Sequence, residues 1–270
     1  MNNEILLDVL VPAFNSELFI EQTLNSIRDQ TYKNFRVFIS VDKSNDQTFA
    51  KCIDYAKKDL RFHVIEQPNR LGWVKNSNFL LSKVQALFAV FAFHDDTLHS
   101  TYFEKLINCL LANSTAVNAF SDTLCTLADG TVEHWIYSEL EDINDPYVRG
   151  IKILEQRGKW WVPNRGIFRS SIATKINGLK THESGEFSSD LSWLFHMSLY
   201  GNFVRIPETL CFKYYKPSSL SKGWSHSSKA QYDVLASCMR ELWLADVPVQ
   251  LKLKLGKPLM DFFLKNNGLS

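Results

Sequence analysis

The chain has 270 residues, 45% of them hydrophobic and 22% charged, enough for one large α/β domain or two small ones and too apolar for a disordered segment. Thirty lysines and arginines against 29 aspartates and glutamates leave a formal charge of +1, so no broad positive field recruits nucleic acid. No run approaches the roughly 18 apolar residues of a membrane span, and Met1-Asn2-Asn3-Glu4 lacks the basic start of a signal peptide. Cys52, Cys109, Cys125, Cys211 and Cys238 have no CxxC spacing, which points to reduced thiols in a cytosolic protein rather than to zinc or disulfides.

Ile5 to Val11 reads as a strand buried on both faces, broken only by Asp8 and ended by Pro12. Asn15 or Ser16 is positioned to cap a helix whose Ile20, Leu24 and Ile27 share one face. Phe35 to Val41 predicts a second strand. Phe49, Cys52, Ile53 and Ala56 predict a helix, with Asp46 at its N-cap. Phe62 to Ile65 gives a third strand and Val74 to Val84 a further helix. Ala86 to Phe93 predicts the fourth strand, and Thr101-x-x-Glu104 a capping box for a helix carrying Phe103, Leu106, Ile107 and Leu110. Strands alternating with helices of this length imply a mainly parallel sheet flanked by helices.

Past residue 115, Ala119 to Leu127 and Thr131 to Tyr137 predict strands around the turn signal Asp129-Gly130. Ser138 to Arg149 reads as a loop or short helix. Trp160-Trp161-Val162-Pro163-Asn164-Arg165-Gly166 combines aromatics with a turn; the two tryptophans belong either to the core or to a sugar-facing acceptor site. Leu191, Leu194, Phe195 and Leu199 predict a helix stopped by Gly201-Asn202. Phe203 to Ile206 and Leu210 to Tyr215 predict two strands. Beyond Lys222 the chain reads as helical and mildly basic, with Gly256 and Pro258 expected to interrupt any helix across Val249 to Lys265. That stretch is a packed segment with a solvated face or a membrane-surface contact.

In a parallel α/β sheet, ligands bind beyond the carboxyl ends of the strands. The residues there are Pro12-Ala13-Phe14-Asn15, Asp42 to Asp46, Gln67 to Gly72, and Asp95-Asp96. No GxGxxG and no GxxxxGK[ST] occurs, which argues against a dinucleotide fold and a P-loop. The adjacent acids Asp95 and Asp96 suit a divalent cation bridging carboxylates to substrate phosphates, or else a solvated loop.

Val9-Leu10-Val11-Pro12-Ala13-Phe14-Asn15, Leu24-Asn25-Ser26-Ile27-Arg28-Asp29-Gln30-Thr31-Tyr32 and Val41-Asp42-Lys43-Ser44-Asn45-Asp46-Gln47-Thr48 resemble, in order and spacing, the opening of glycosyltransferase family 2. The resemblance covers about residues 6 to 222, and strongly the part to 107. It implies a GT-A fold, a nucleotide-diphospho-sugar transferase-like Rossmann-type α/β sheet, with residues 1–115 as the nucleotide-sugar half and 116–222 as the acceptor half. A C-terminal helical extension, 223–270, follows. It also implies inverting transfer from a nucleotide-sugar, with a UDP-sugar favoured, to a saccharide or lipid-linked saccharide in cell-surface polysaccharide synthesis. The expected setting is the cytoplasm or the inner face of the membrane.

Carried over by position, Pro12, Ala13 and Phe14 form the shelf under the base, Asn15 is a further nucleotide-binding residue, and Asp42 accepts from base or ribose. Arg70, Gly72 and Lys75 face the pyrophosphate, the usual Arg-Asn pair reading here Ser77-Asn78. Asp95 touches the nucleotide, and Asp96 with Asp95 holds Mg²⁺ or Mn²⁺. Phe93 stands where many members carry a further Asp. The catalytic Glu-Asp element reads Ser189-Asp190, leaving Asp190 as the base, and Tyr214 to Ser221 resembles the family's ending without its His, with Lys216 near that place. Trp160 and Trp161 are the acceptor-side candidates. Two other classes compete: a degenerate homologue that binds nucleotide-sugar or glycan without turnover, and a sugar-phosphate nucleotidyltransferase. The latter needs a Gly-rich basic loop after the first strand, which Pro12-Ala13-Phe14-Asn15 is not.

Overall fold

Alternating aliphatic residues organise the first half of the chain. In the computed structural model, which describes residues 7–141, 143–155, 159, 161–216, 223–224 and 226–266, strand β1 (Leu7–Ala13) is buried throughout. Its Leu7, Val9, Val11 and Ala13 enter one hydrophobic cluster and Leu10 a second on the opposite face, as a two-residue repeat requires. Asp8, 0% exposed, meets Arg36 through both oxygens at 3.0 Å and accepts the Gln85 and Ala86 N–H groups, so its charge is compensated.

Strands β2 (Phe35–Val41), β3 (Phe62–Glu66) and β4 (Phe88–Phe91) join β1 in parallel. Helices α1 (Ile20–Arg28), α2 (Thr48–Ala56) and α3 (Trp73–Leu81) connect them. Asp96–Leu98 forms a short strand, β5, ahead of α4 (Tyr102–Ala112). The second half adds β6 (Ala116–Thr126), β7 (Val132–Trp135), α5 (Pro146–Glu155), β8 (Ile167–Arg169), α6 (Ser170–Ile176), α7 (Ser189–Ser198) and β9 (Asn202–Tyr214). Helices α8 (Ser228–Leu244) and α9 (Val249–Asn266) complete the described chain.

All nine strands make one sheet, in the order β3-β2-β1-β4-β8-β6-β9-β5, with β7 beside β6. The segments 1–115 and 116–222 are thus joined through β4 with β8 and through β5 with β9, both antiparallel. Helices α1, α2 and α4 cover one face; α3, α5, α7, α8 and α9 cover the other.

Several local expectations change. The Thr101-x-x-Glu104 capping box does not form, because Glu104 accepts from Thr31 and Thr101 pairs with His99. Neither Asn15 nor Ser16 caps α1, whose N-cap position is Phe19; Asp46 does accept the N–H of Thr48 at the start of α2. Ser138–Leu140 is a 3-10 turn and α5 follows it. The two strands expected after Gly201 are one, β9, which runs parallel to β6 and absorbs the polar stretch in register shifts. Gly256 and Pro258 do not interrupt α9, since Leu255 and Leu259 beside them anchor it in the core. No helix among the described residues is long and apolar enough to cross a membrane.

Candidate active site

A cavity of about 720 Å³ opens beyond the carboxyl ends of β1, β2 and β4. Pro12, Ala13, Phe14, Asn15, Asp42, Arg70, Gly72 and Asp95 all line it, as do Trp161 and Asp190. Lys75 does not: on α3 it falls between buried Val74 and Asn76 and faces solvent. Trp160 lies outside the described residues, as do Pro217 to Ser221.

The floor is built by side chains that staple loops together. Asn15 adopts a left-handed conformation (φ 42°), receives the Asn45 N–H at 3.0 Å and donates its own N–H to Ser44 Oγ at 3.1 Å. The Arg70 guanidinium stands 4.1 Å above the Phe14 ring, leaving a flat shelf that suits a planar base. Asp42 accepts N–H groups from Lys43, Leu71 and Gly72 at 3.0, 2.7 and 2.9 Å. It therefore shapes the 70–72 segment as well as facing the cavity. Gly72 needs its positive φ of 84° there.

One wall was illegible from sequence. Glu186 accepts the N–H groups of Trp73 and Val74 at 3.3 and 2.9 Å, supplying the N-terminus of α3 with the negative charge its dipole favours. Glu186 also lines the cavity. Asn78 is likewise structural, exchanging two hydrogen bonds with the Leu179 backbone.

The acid pair splits. Asp96, 2% exposed, accepts from Arg165 Nε at 2.9 Å and lies 3.7 Å from Lys213 Nζ. It does not line the cavity. The Arg165 guanidinium is sandwiched between the Phe93 and Trp161 rings, at 4.8 and 4.6 Å. Burial is the largest single influence and opposes its charge, but Asp96, Cys211, Tyr215 and Asp95 together raise its pKa. Asp95 faces the cavity, with Lys216 Nζ 3.9 Å away. Burial works against the Asp95 charge too, yet Lys213, His94, Lys216 and Arg165 hold its carboxyl below the ordinary value. His94 Nδ1 lies 3.0 Å from the Pro12 carbonyl, which only accepts, so the ring proton sits on Nδ1. Burial pushes the His94 pKa down, keeping the ring neutral.

The expected cation site thus fails a simple fit. Asp96 was to be the principal ligand, but it does not line the cavity and Arg165 holds its Oδ2; its buried Oδ1 has no hydrogen-bond partner, with Lys213 Nζ 3.7 Å away. Of the pair only Asp95 faces the cavity, and an ammonium already attends it. No three His, Cys, Asp or Glu residues among those described gather into a metal-binding group.

Asp190, near the start of α7, is a further cavity acid. Asn164 Nδ2 approaches its Oδ2 at 3.4 Å, while buried Oδ1 has no protein partner. Burial pushes its carboxyl up to about 6, with Arg165 pulling the other way. α7 carries no side-chain cap, so Asp190 is not there to provide one. Sequence reading missed Arg165, Lys213 and Tyr215; the only signal was that basic and aromatic residues recur at the end of β9.

Comparison with known proteins agrees with this architecture. Residues 8–169 match the family Glycosyl transferase family 2. A putative teichuronic acid biosynthesis glycosyltransferase, TuaG of Bacillus subtilis, is 29% identical over 184 residues, 65% of this chain and 72% of that protein. The GalNAc(5)-diNAcBac-PP-undecaprenol beta-1,3-glucosyltransferase of Campylobacter jejuni is 29% identical over 119 residues, 44% of this chain and 38% of that protein. The chain spans only 38 to 44% of the length of several such relatives. Among solved structures, S. aureus TarS 1-349 in complex with UDP-GlcNAc superposes with a TM-score of 0.72 at 16% identity, covering 97% of this chain and 72% of that one. The mannosyltransferase PcManGT of Pyrobaculum calidifontis, in complex with GDP-Man and Mn²⁺, gives 0.58 at 15% identity over 94% of this chain and 68% of that one. These two likenesses show the fold.

Proposed function

The chain belongs to glycosyl transferase family 2, and we propose that it moves a sugar from a nucleotide-diphosphate donor, a UDP-sugar by preference, to a hydroxyl of a saccharide or lipid-linked saccharide during cell-surface polysaccharide synthesis. The observation that carries this reading is Asp190: a cavity-facing carboxylate with a pKa raised to about 6, which suits proton removal near neutrality. It takes the proton of the acceptor hydroxyl as that oxygen attacks the anomeric carbon. The nucleoside diphosphate leaves from the opposite face, so one displacement inverts the configuration. The base rests on the Phe14–Arg70 shelf beside Asp42, and Trp161 offers an aromatic face to the acceptor sugar. TuaG and the Campylobacter glucosyltransferase, by name, support a polysaccharide or lipid-linked acceptor. The exposed Trp243 and Leu244 of α8 and Val249, Leu253 and Met260 of α9 support a peripheral contact with the membrane that would carry such an acceptor.

Incubation with a panel of nucleotide-sugars, following nucleotide release and the anomer formed, tests the reading. Release from no donor in the presence of lipid-linked and free saccharides would overturn it. The uracil preference has its own test. UDP is expected to bind more tightly than GDP or CDP, and Asp42→Ala to weaken it by about tenfold or more, the cost of losing a charge-assisted hydrogen bond and the order of the 70–72 segment. Calorimetry with the three nucleotides measures both, and GDP ahead of UDP would remove the uracil contact.

A further inference from the structure

On one side of the cavity three cations gather around Asp95. Lys213, Lys216 and Arg165 line it beside Asp95, while Asp96 lies outside the lining, paired with Arg165 and near Lys213; the other lining acids are Asp42, Glu186 and Asp190. Lys213, Lys216 and Arg165 all act on the Asp95 carboxylate, so its charge is already attended before any ligand enters. A divalent ion approaching Asp95 would meet the Lys216 ammonium 3.9 Å from Oδ2, and Lys213 and Arg165 act on the same carboxylate. A dianionic diphosphate meets the opposite situation.

Resting on the nucleotide-sugar reading above, we propose that Lys216 and Lys213 hold the donor diphosphate directly, so that nucleotide binding requires no divalent cation. Both are positioned by the end of β9. Lys213 is buried in side chain to 12% exposure and stands 4.7 Å over the Tyr215 ring; Lys216 stands 3.9 Å over the Phe19 ring. Rings on their stems restrict where the ammonium groups go, which limits the entropy lost on binding a phosphate. An ammonium carries three donors, enough to serve Asp95 and a phosphate oxygen together. Asp95 then acts as a positioning residue, keeping the Lys216 ammonium at the cavity wall. Arg165, fixed on Asp96 and packed between two rings, contributes its charge from behind.

The experiment is calorimetric titration of UDP, GDP and CDP into the full chain, once with excess EDTA and once with Mn²⁺. The best nucleotide is expected to bind in EDTA within about threefold of its affinity in Mn²⁺, and Lys216→Met to weaken it about tenfold or more in EDTA, the loss of one charge-assisted hydrogen bond. Lys216→Arg, which keeps the charge, should retain most of the affinity, and circular dichroism melts confirm that each variant folds. Lys213→Met provides the second arm, because Asp96 keeps Arg165 as its partner in that variant. Binding that appears only with Mn²⁺ overturns the inference and leaves the nucleotide-sugar reading standing. Binding in EDTA that survives both methionine variants overturns it as well. No nucleotide bound under either condition overturns the reading of the cavity, and the inference with it.

Discussion

Asp190→Asn should lower sugar transfer by roughly two to four orders of magnitude, the usual contribution of a general base, with nucleotide affinity little changed. Asparagine preserves the shape and the contact with Asn164 but has no basicity. The pH profile supplies an independent readout. Because the carboxyl is pushed up to about 6, activity should rise tenfold per unit on the acid side and level off above that value. The sign for stability is the reverse. A carboxyl raised above its ordinary 3.8 makes the folded state bind the proton more tightly, so its contribution is fully present at low pH and is lost as pH rises through about 4 to 6. Asp190→Asn should erase that slope while leaving the protein at least as stable at pH 8. A variant with normal turnover, or an unchanged acid limb in a weakly active one, would end the assignment of Asp190 as the base.

Asp96→Ala should destabilise the fold by about 3–5 kcal/mol, the usual effect of removing one partner of a buried ion pair. Arg165 would keep its charge at 11% exposure without its hydrogen-bonded carboxylate. Urea denaturation measures the loss, and Asp96→Ala combined with Arg165→Met should recover a good part of it, since the double variant leaves no unpaired charge. Asp95→Ala, by contrast, removes an acid whose main partner is an ammonium at 3.9 Å and should cost much less. Equal stabilities for Asp96→Ala and the wild type would show that the Arg165 pair contributes nothing, and would return Asp96 to the role of an accessible loop acid.

The contrast between the two acids shows where sequence reading reached and where it stopped. The shelf residues Pro12 to Asn15, Asp42 and Gly72 were legible because they follow buried strands at a fixed topological edge. Asp95 and Asp96 were legible as a pair but not as opposites. Adjacent residues entering a strand point to opposite faces, and the β5 strand that separates them is only three residues long, too short to show a period. Its partner, β9, lies more than a hundred residues away, and no local pattern announces a pairing at that distance. Arg165 and Lys213 were hidden for the same reason, as their roles depend on which strands become neighbours. The failed capping box at Thr101 follows suit, since Thr31 reaches Glu104 first from across the fold.

The strand order also sets a timetable for synthesis. β4 has β1 on one side and β8 on the other, and β8 is encoded about eighty residues after β4, so at ~5–20 residues per second its free edge waits roughly 4–16 s for a partner. During that interval the emerging chain presents an open, fully apolar strand, Phe88 to Phe91, of the kind that pairs with other chains. A fragment ending at residue 115 would keep that edge indefinitely and should collect in the insoluble fraction. The cavity floor around Phe14 and Asp42 is therefore made first, and the groups that balance Asp95 and Asp96 arrive last, when the ribosome releases Arg165 and then β9.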